Sequence, residues 1–311
     1  MLHFKPNLFI PGAAKSGTTT LHNLLNQHPD ICMSTVKEPG YWKNEKLKEF
    51  KDVEKQNYSD LFDKSNCKIY GESSTAYMYY NSFIKNIKNN YEDLPKFIFI
   101  LRNPIDRFNS HFWWMKGLGL EKENLDCIIK ETLIKEDGTL KIISPTIKSY
   151  NYYPKYYYQF GLYSKWLKRF YNSFNKSDIK IITFEQLINN PLETTNSCFE
   201  FLGLNKLESI SSYTSNETSL LKNPNLYHFI NKSNIGKYSY TKIAKYFFPK
   251  GIINMIKKRI KMLLDNWEKE KINYPKLSIE NRNDLKLVYS NDISKLKQLT
   301  NNSYKEWVDF S

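Results

Sequence analysis

The run Leu8-Phe9-Ile10-Pro11-Gly12-Ala13-Ala14-Lys15-Ser16-Gly17-Thr18-Thr19-Thr20-Leu21 constrains this chain more than any other stretch. Leu8, Phe9 and Ile10 form an apolar run that predicts a short buried strand. A turn of glycines and small residues follows. From Thr18 to Asn26 the spacing predicts a helix, because Leu21, Leu24 and Leu25 fall at i, i+3 and i+4 on one face. Strand, tight turn and helix start together leave backbone N–H groups free to meet an anion. Lys15 adds a positive charge, and Ser16, Thr18, Thr19 and Thr20 add hydroxyl donors around Gly17. A turn of this composition also caps helices that bind nothing, but here cation, glycines, hydroxyls and helix start coincide.

The loop departs from that of the nucleoside triphosphatases, which requires Gly-x-x-x-x-Gly-Lys-[Ser/Thr]. Gly12 and Gly17 have the right separation, yet Thr18 stands where the lysine belongs, and the lysine comes earlier, at Lys15. No magnesium carboxylate follows a strand, so a nucleotide kinase is disfavoured.

The rest of the chain alternates strands with helices, which predicts a parallel α/β sheet. Further strands are expected at Ile31–Met33, Lys68–Ser74, Lys96–Leu101 and Ile179–Phe184, and helices over Tyr79–Tyr91, Ile105–Met115, Gly161–Phe170, Pro191–Leu202 and much of Tyr274–Phe310. Residues 43–66 read as polar and helical, with Tyr58, Leu61 and Phe62 facing inward. One domain over residues 1–311 is expected, with 116–160 an insertion over a cleft and 205–272 a variable basic segment.

With 41% hydrophobic residues the chain reads as globular, and its net charge of +14 favours an anionic partner, whether nucleic acid, membrane surface, polyanion or charged cofactor, although a base composition that favours Lys would give the same excess. Residues 222–272 hold 12 Lys/Arg against 3 Asp/Glu. Residues 250–267 read as a basic amphipathic helix, which suits core packing or a lipid surface. Cys32, Cys67, Cys127 and Cys198 are scattered and accompanied by no His cluster, which argues against zinc and for reduced thiols. Lys5 and Pro6 interrupt the start, and no window reaches the length of a membrane span. The expected location is cytoplasmic, and no metal and no nucleic-acid partner are expected.

A second anion signal is Leu101-Arg102-Asn103-Pro104-Ile105-Asp106-Arg107-Phe108-Asn109-Ser110-His111. Arg102 stands at the C-terminal end of an apolar strand, where open α/β sheets bind ligands. Ser110 follows two helical turns later and can face the same pocket. A guanidinium beside a hydroxyl suits a phosphate monoester.

Lys15-Ser16-Gly17-Thr18-Thr19 resembles the 5′-phosphosulfate loop of sulfotransferases that use 3′-phosphoadenosine 5′-phosphosulfate (PAPS). Arg102-Asn103-Pro104-x-x-Arg107-x-x-Ser110 resembles their 3′-phosphate site. Lys37-Glu38-Pro39, Gly161-Leu162-Tyr163-x-x-x-Leu167, Ile181–Leu187 and the ending around Tyr289 to Trp307 resemble the heparan-sulfate-type branch. This resemblance implies a P-loop-like three-layer α/β/α fold with a central parallel sheet. It implies direct in-line transfer of a sulfuryl group to an acceptor hydroxyl, with adenosine 3′,5′-bisphosphate as product and no metal. Glu38 would then be the base and Lys15 the cation at the leaving phosphate, with His111 a rival base. Lys15, Ser16, Gly17, Thr18, Thr19, Thr20, Arg102 and Ser110 would hold the cofactor, with Lys232 and Lys237 closing over its 3′ end. Lys37, Ser73, Tyr77, Trp113 and Tyr157 would line the acceptor side. One departure is Glu72-Ser73-Ser74-Thr75-Ala76-Tyr77, where Ser73 replaces the lysine of the branch; Lys37 is a substitute cation. A carbohydrate acceptor is the leading expectation. A small hydroxylated secondary metabolite is the alternative, and a non-enzymatic polyanion- or membrane-binding protein the distant one.

Overall fold

The computed structural model describes residues 5–47, 57–62, 66–136, 139–142, 156–211, 219–221, 269–271 and 275–311, with 252, 255, 259 and 262. In chain order these form β1 (Leu8–Ile10), α1 (Thr18–Leu25), β2 (Ile31–Met33), β3 (Ile69–Ser73), α2 (Asn81–Asn90), β4 (Lys96–Leu101), α3 (Pro104–Gly117), α4 (Leu125–Thr132), β5 (Leu133–Glu136), β6 (Thr139–Ile142), α5 (Tyr163–Tyr171), β7 (Ile179–Thr183), α6 (Phe184–Asn189), α7 (Pro191–Phe201), β8 (Ser219–Leu221), β9 (Lys269–Lys271) and α8 (Ile279–Thr300).

Five strands make one parallel sheet in the order β2-β3-β1-β4-β7. The chain leaves β1 toward β2 on one side and later enters β4 on the other. A crevice therefore opens at the C-terminal end of β1, the usual ligand position in such sheets. In register, Ile10 lies opposite Ser73 of β3 and Phe9 opposite Phe97 of β4. The turn after β1 is thus flanked by the end of β3 on one side and the end of β4 on the other.

Both faces of the sheet are covered, so the central strands carry no polar alternation. They alternate instead in shape. Phe9, Phe97 and Phe99 join Trp42, Phe83, Phe108, Phe170, Tyr289 and Trp307 in an aromatic layer packed by α2, α3, α5 and α8. Leu8, Ile10, Ile98 and Ile100 join Leu21, Leu24, Leu25 and Phe199 in an aliphatic layer packed by α1, α6 and α7. This is the three-layer α/β/α arrangement expected from the sequence.

The expected strands and the helices over 79–91, 105–115, 161–170 and 191–202 form within a residue or two of their expected ends, while the closing helix occupies only Ile279–Thr300 of the stretch 274–310. Among the described residues of 116–160, α4 runs into the antiparallel hairpin β5–β6. A second antiparallel pair, β8–β9, joins the two ends of the basic segment and was not expected from its composition. In the stretch 43–66, the described residues have a short helical turn at 57–59, with Tyr58 buried and Leu61 and Phe62 packed against the aromatic layer. Lys232 and Lys237 lie outside the described residues. Among the described residues no helix is long and apolar enough to cross a membrane, and no His, Cys, Asp and Glu cluster has the makings of a metal site.

Candidate functional site

The turn after β1 is held by its neighbours. Ala13 N–H donates to the Ile100 carbonyl at 2.8 Å, and Gly12 accepts from Ile100 N–H at 3.0 Å. Met78 N–H donates to the Pro11 carbonyl at 3.0 Å. Gly17 is the N-cap of α1 at φ 90°, in the left-handed region where a side chain is strained. A β-carbon there would also stand 2.6 Å from the Phe184 ring. No side chain caps α1, and its first turn, which begins at Thr18, carries no acidic residue. The helix therefore turns its positive dipole end, without a side-chain cap, to the crevice. Ser16 Oγ is buried beside them, without a hydrogen-bond partner of normal geometry among the described residues.

Lys15 curls back over this turn at φ 67°, its Nζ 4.9 Å from the centre of the Trp114 ring. Its pKa is pulled down to about 8, first by burial and then by the charges of Arg102, Lys37 and Arg107. Arg102 sits on the β4 side. Its guanidinium lies 4.6 Å above the Phe184 ring, and its Nη1 donates to the Lys15 carbonyl at 3.5 Å. Tyr163 fixes the backbone there by donating to the Arg102 carbonyl at 2.8 Å. The two cations thus share one mouth of the sheet, and no carboxylate within ion-pair distance is recorded for either among the described residues. Ser110 is buried on α3, one turn from fully buried Arg107.

The β3 side supplies the carboxylate. Glu38 has φ 61°, and its side chain is 42% exposed. Its N–H donates to the Ser73 carbonyl at 2.9 Å. Its Oε2 accepts from Thr75 N–H at 2.8 Å, and its Oε1 from the Thr75 hydroxyl at 3.1 Å and from Lys37 Nζ at 2.8 Å. Lys37 is less exposed, at 22%, and its charge reaches both Lys15 and His22.

Four other residues picked from the sequence point inward. Ser73 is fully buried, and its hydroxyl meets His22 Nδ1 at 2.8 Å. His22 is held neutral with a pKa near 4, first by burial and then by Lys37. Tyr77 is fully buried. Tyr157 packs between Phe108 and His111 and donates to Glu121 at 2.7 Å. His111 is buried, stacked on Phe160 with its Nδ1 3.5 Å from Arg107 Nη1. Trp113 is half-buried against Phe112. Of the two bases considered, Glu38 is the one open to solvent.

Sequence reasoning did not name Phe184, Tyr163 or His22 as parts of this site. Phe184 begins α6, where an apolar residue after a strand reads as core. Tyr163 had one signal, the motif that begins at Gly161. That glycine is required because a β-carbon would stand 2.7 Å from the Tyr289 hydroxyl.

The fit to an adenosine bisphosphate cofactor rests on this donor set. A helix start with an uncompensated dipole, a buried hydroxyl and a lysine suit one phosphate group, and the guanidinium at the end of the neighbouring strand β4 suits another. Fold and site together define an α/β chain whose crevice gathers basic side chains and a helix start, chemistry suited to phosphate esters. The sulfotransferase domain family model matches residues 5–268, and the chain belongs to that family. It is 24% identical to human carbohydrate sulfotransferase 15 and 25% identical to the mouse protein, over 66% of this chain and 46% of theirs. It thus spans about half the length of the curated relatives it matches. A sulfotransferase from Alicyclobacillus acidocaldarius shares the fold, with a TM-score of 0.64 and 22% identity over 98% of this chain and 99% of that one.

Proposed function

We propose that the chain moves the sulfuryl group of PAPS to a hydroxyl of a carbohydrate acceptor. The observation that carries this reading is the convergence of Lys15, Arg102 and the start of α1 on one crevice, with the exposed carboxylate of Glu38 on its other wall. The cofactor supplies an activated sulfur whose bond to the bridging phosphate oxygen breaks as the acceptor oxygen bonds to sulfur. Glu38 takes the acceptor proton. Lys15 and the N–H groups at the start of α1 stabilise the negative charge that grows on the leaving phosphate. Arg102 and Ser110 hold the far phosphate and so orient the adenosine. The names of the curated relatives favour a carbohydrate acceptor. The Trp114 ring beside Lys15 favours a small ring-bearing alcohol as the second reading.

Adenosine 3′,5′-bisphosphate is expected to raise the melting temperature by several degrees, and ATP with magnesium much less. Equal stabilisation by both counts against the assignment. With radiolabelled PAPS and a panel of desulfated glycosaminoglycans and phenols, Lys15→Ala is expected to lose transfer and Glu38→Gln to lose transfer while still binding the bisphosphate. Full activity in Glu38→Gln would pass the role of base to His111.

A further inference from the structure

Glu72 has no place in the chemistry above, yet it is a carboxylate wholly removed from solvent and held by hydroxyls alone. It is fully buried one residue before Ser73, and strand alternation turns the two side chains to opposite faces of the sheet. Ser73 ties β3 to α1 through His22. Glu72 accepts three hydroxyl hydrogen bonds: Tyr58 on Oε2, and Ser74 at 2.7 Å and Tyr77 at 2.5 Å on Oε1. Each hydroxyl in turn holds the segment that follows Glu38. Gly40 N–H donates to Ser74 Oγ at 3.0 Å, Trp42 N–H to the Tyr77 hydroxyl at 3.1 Å, and Trp42 Nε1 to the Tyr58 hydroxyl at 2.8 Å. Thr75, which grips the Glu38 carboxylate, lies between Ser74 and Tyr77 in the same turn.

We propose that Glu72 is a positioning residue, whose carboxylate fastens Gly40 and Trp42 through three hydroxyls and so fixes Glu38 at the mouth of the sheet. This rests on Glu38 being the base. A carboxylate stripped of water is costly, and an apolar side chain of the same size would serve folding as well or better. What the carboxylate supplies instead is geometry, three residues before the turn that holds Glu38: no single apolar residue can orient three hydroxyls at once.

The arrangement makes stability and activity respond oppositely to pH. Three donors require an ionised acceptor, and protonation turns one of them away. Burial raises the Glu72 pKa to about 7, against the three hydrogen bonds and with a smaller push from Glu38. The titratable groups acting on it are Tyr58 beside it, Tyr77 in the turn after β3, Tyr91 at the end of α2, and Glu38. Burial keeps the three tyrosines protonated well above that range. Between the ordinary carboxyl value of 4.5 and about 7, the folded chain binds more protons at Glu72 than the unfolded one. Its contribution to stability therefore falls as pH rises through that window, while the braced geometry forms.

The test is Glu72→Gln in the full chain, read three ways. Hydrogen exchange of the Gly40 and Trp42 amides is expected to speed at least tenfold. Turnover with PAPS and a desulfated glycosaminoglycan is expected to fall at least tenfold, with the bisphosphate Kd within twofold. The melting temperature at pH 8 is expected not to drop, and the acid limb of turnover near pH 7 is expected to vanish. Unchanged exchange and turnover overturn the proposal, as does a loss of turnover that merely tracks lost bisphosphate binding. If Glu72→Gln fails to fold, Ser74→Ala, which cuts only the Gly40 link, is expected to speed exchange of the Gly40 amide and leave that of Trp42, and is held to the same turnover criterion. A wild-type chain that binds no bisphosphate would instead sink the sulfotransferase mechanism while leaving the exchange result readable.

Discussion

Lys15 is a cation kept where cations are disfavoured. Burial and three neighbouring positive charges bring it to about 8. That makes the site sensitive to pH close to neutrality. An arriving phosphate reverses the sign of the local field and lifts the lysine back toward its ordinary value. Binding of adenosine 3′,5′-bisphosphate at pH 8.5 is therefore expected to take up a fraction of a proton, and the affinity is expected to weaken as pH climbs above 8. Calorimetry in two buffers of different ionisation enthalpy reads the uptake directly. Lys15→Arg, which stays charged, is expected to abolish it. No uptake in the wild type would mean that Lys15 does not meet the phosphate. This residue was legible in the sequence because everything that places it is local: a strand, two glycines and a helix start within a dozen positions. The partner of Ser73 was not legible, because His22 lies far off in sequence and reaches it only across the packed α1 face. The same holds for Tyr58 and Glu72, which sequence reading assigned to a helix face and a strand end.

The turn Arg102-Asn103-Pro104 shows how an element borrows its position from the end of the chain. Asn103 caps α3 by accepting from Ile105 N–H at 3.0 Å, and Pro104 occupies the first helical position, as helix starts favour. The Asn103 amide donates to Asp309 at 2.6 Å, and its backbone N–H donates to Glu185 at 2.9 Å. Trp307 Nε1 donates to the other Glu185 oxygen at 2.9 Å. Arg282 of α8 then grips Asp309 through two nitrogens and Asp106 through a third. Burial works against ionised Asp309, yet the Arg282 and Asn103 hydrogen bonds hold its carboxyl below the ordinary value. Asp309→Ala strands Arg282 and frees Asn103, at a cost of roughly 1–3 kcal/mol. Its melting temperature is expected to fall, and its affinity for the bisphosphate to drop several-fold because Arg102 loses its footing. Titration of the folded variant checks this, and wild-type affinity would show that the tail does not position Arg102. The closing helix was readable from its pattern. Its role here was not, because the pairing of Asp309 with Asn103 spans 206 positions and leaves no periodic trace.

At the scale of the whole molecule, charge discriminates between the two acceptor classes. The chain carries +14, and Lys15, Arg102, Lys37 and Arg107 add their fields at one mouth of the sheet. A sulfated or carboxylated glycan is an extended line of negative charges. It would feel that field well beyond the atoms it touches, out to about 8 Å in physiological salt. A neutral phenol would not. The cofactor is equally anionic in both reactions, so salt effects on its own binding cancel when it is held at saturation. With PAPS saturating, raising the salt from 50 to 300 mM, roughly a halving of the screening length, is expected to raise the KM of a glycosaminoglycan acceptor several-fold and to leave that of a phenol nearly unchanged. The KM rise should appear with little change in kcat, because screening weakens encounter and docking and leaves the reacting atoms alone. A chain that accepts only the phenol, with a salt-independent KM, would turn the carbohydrate reading over to the small-alcohol one. Its basic surface would then serve the cofactor alone.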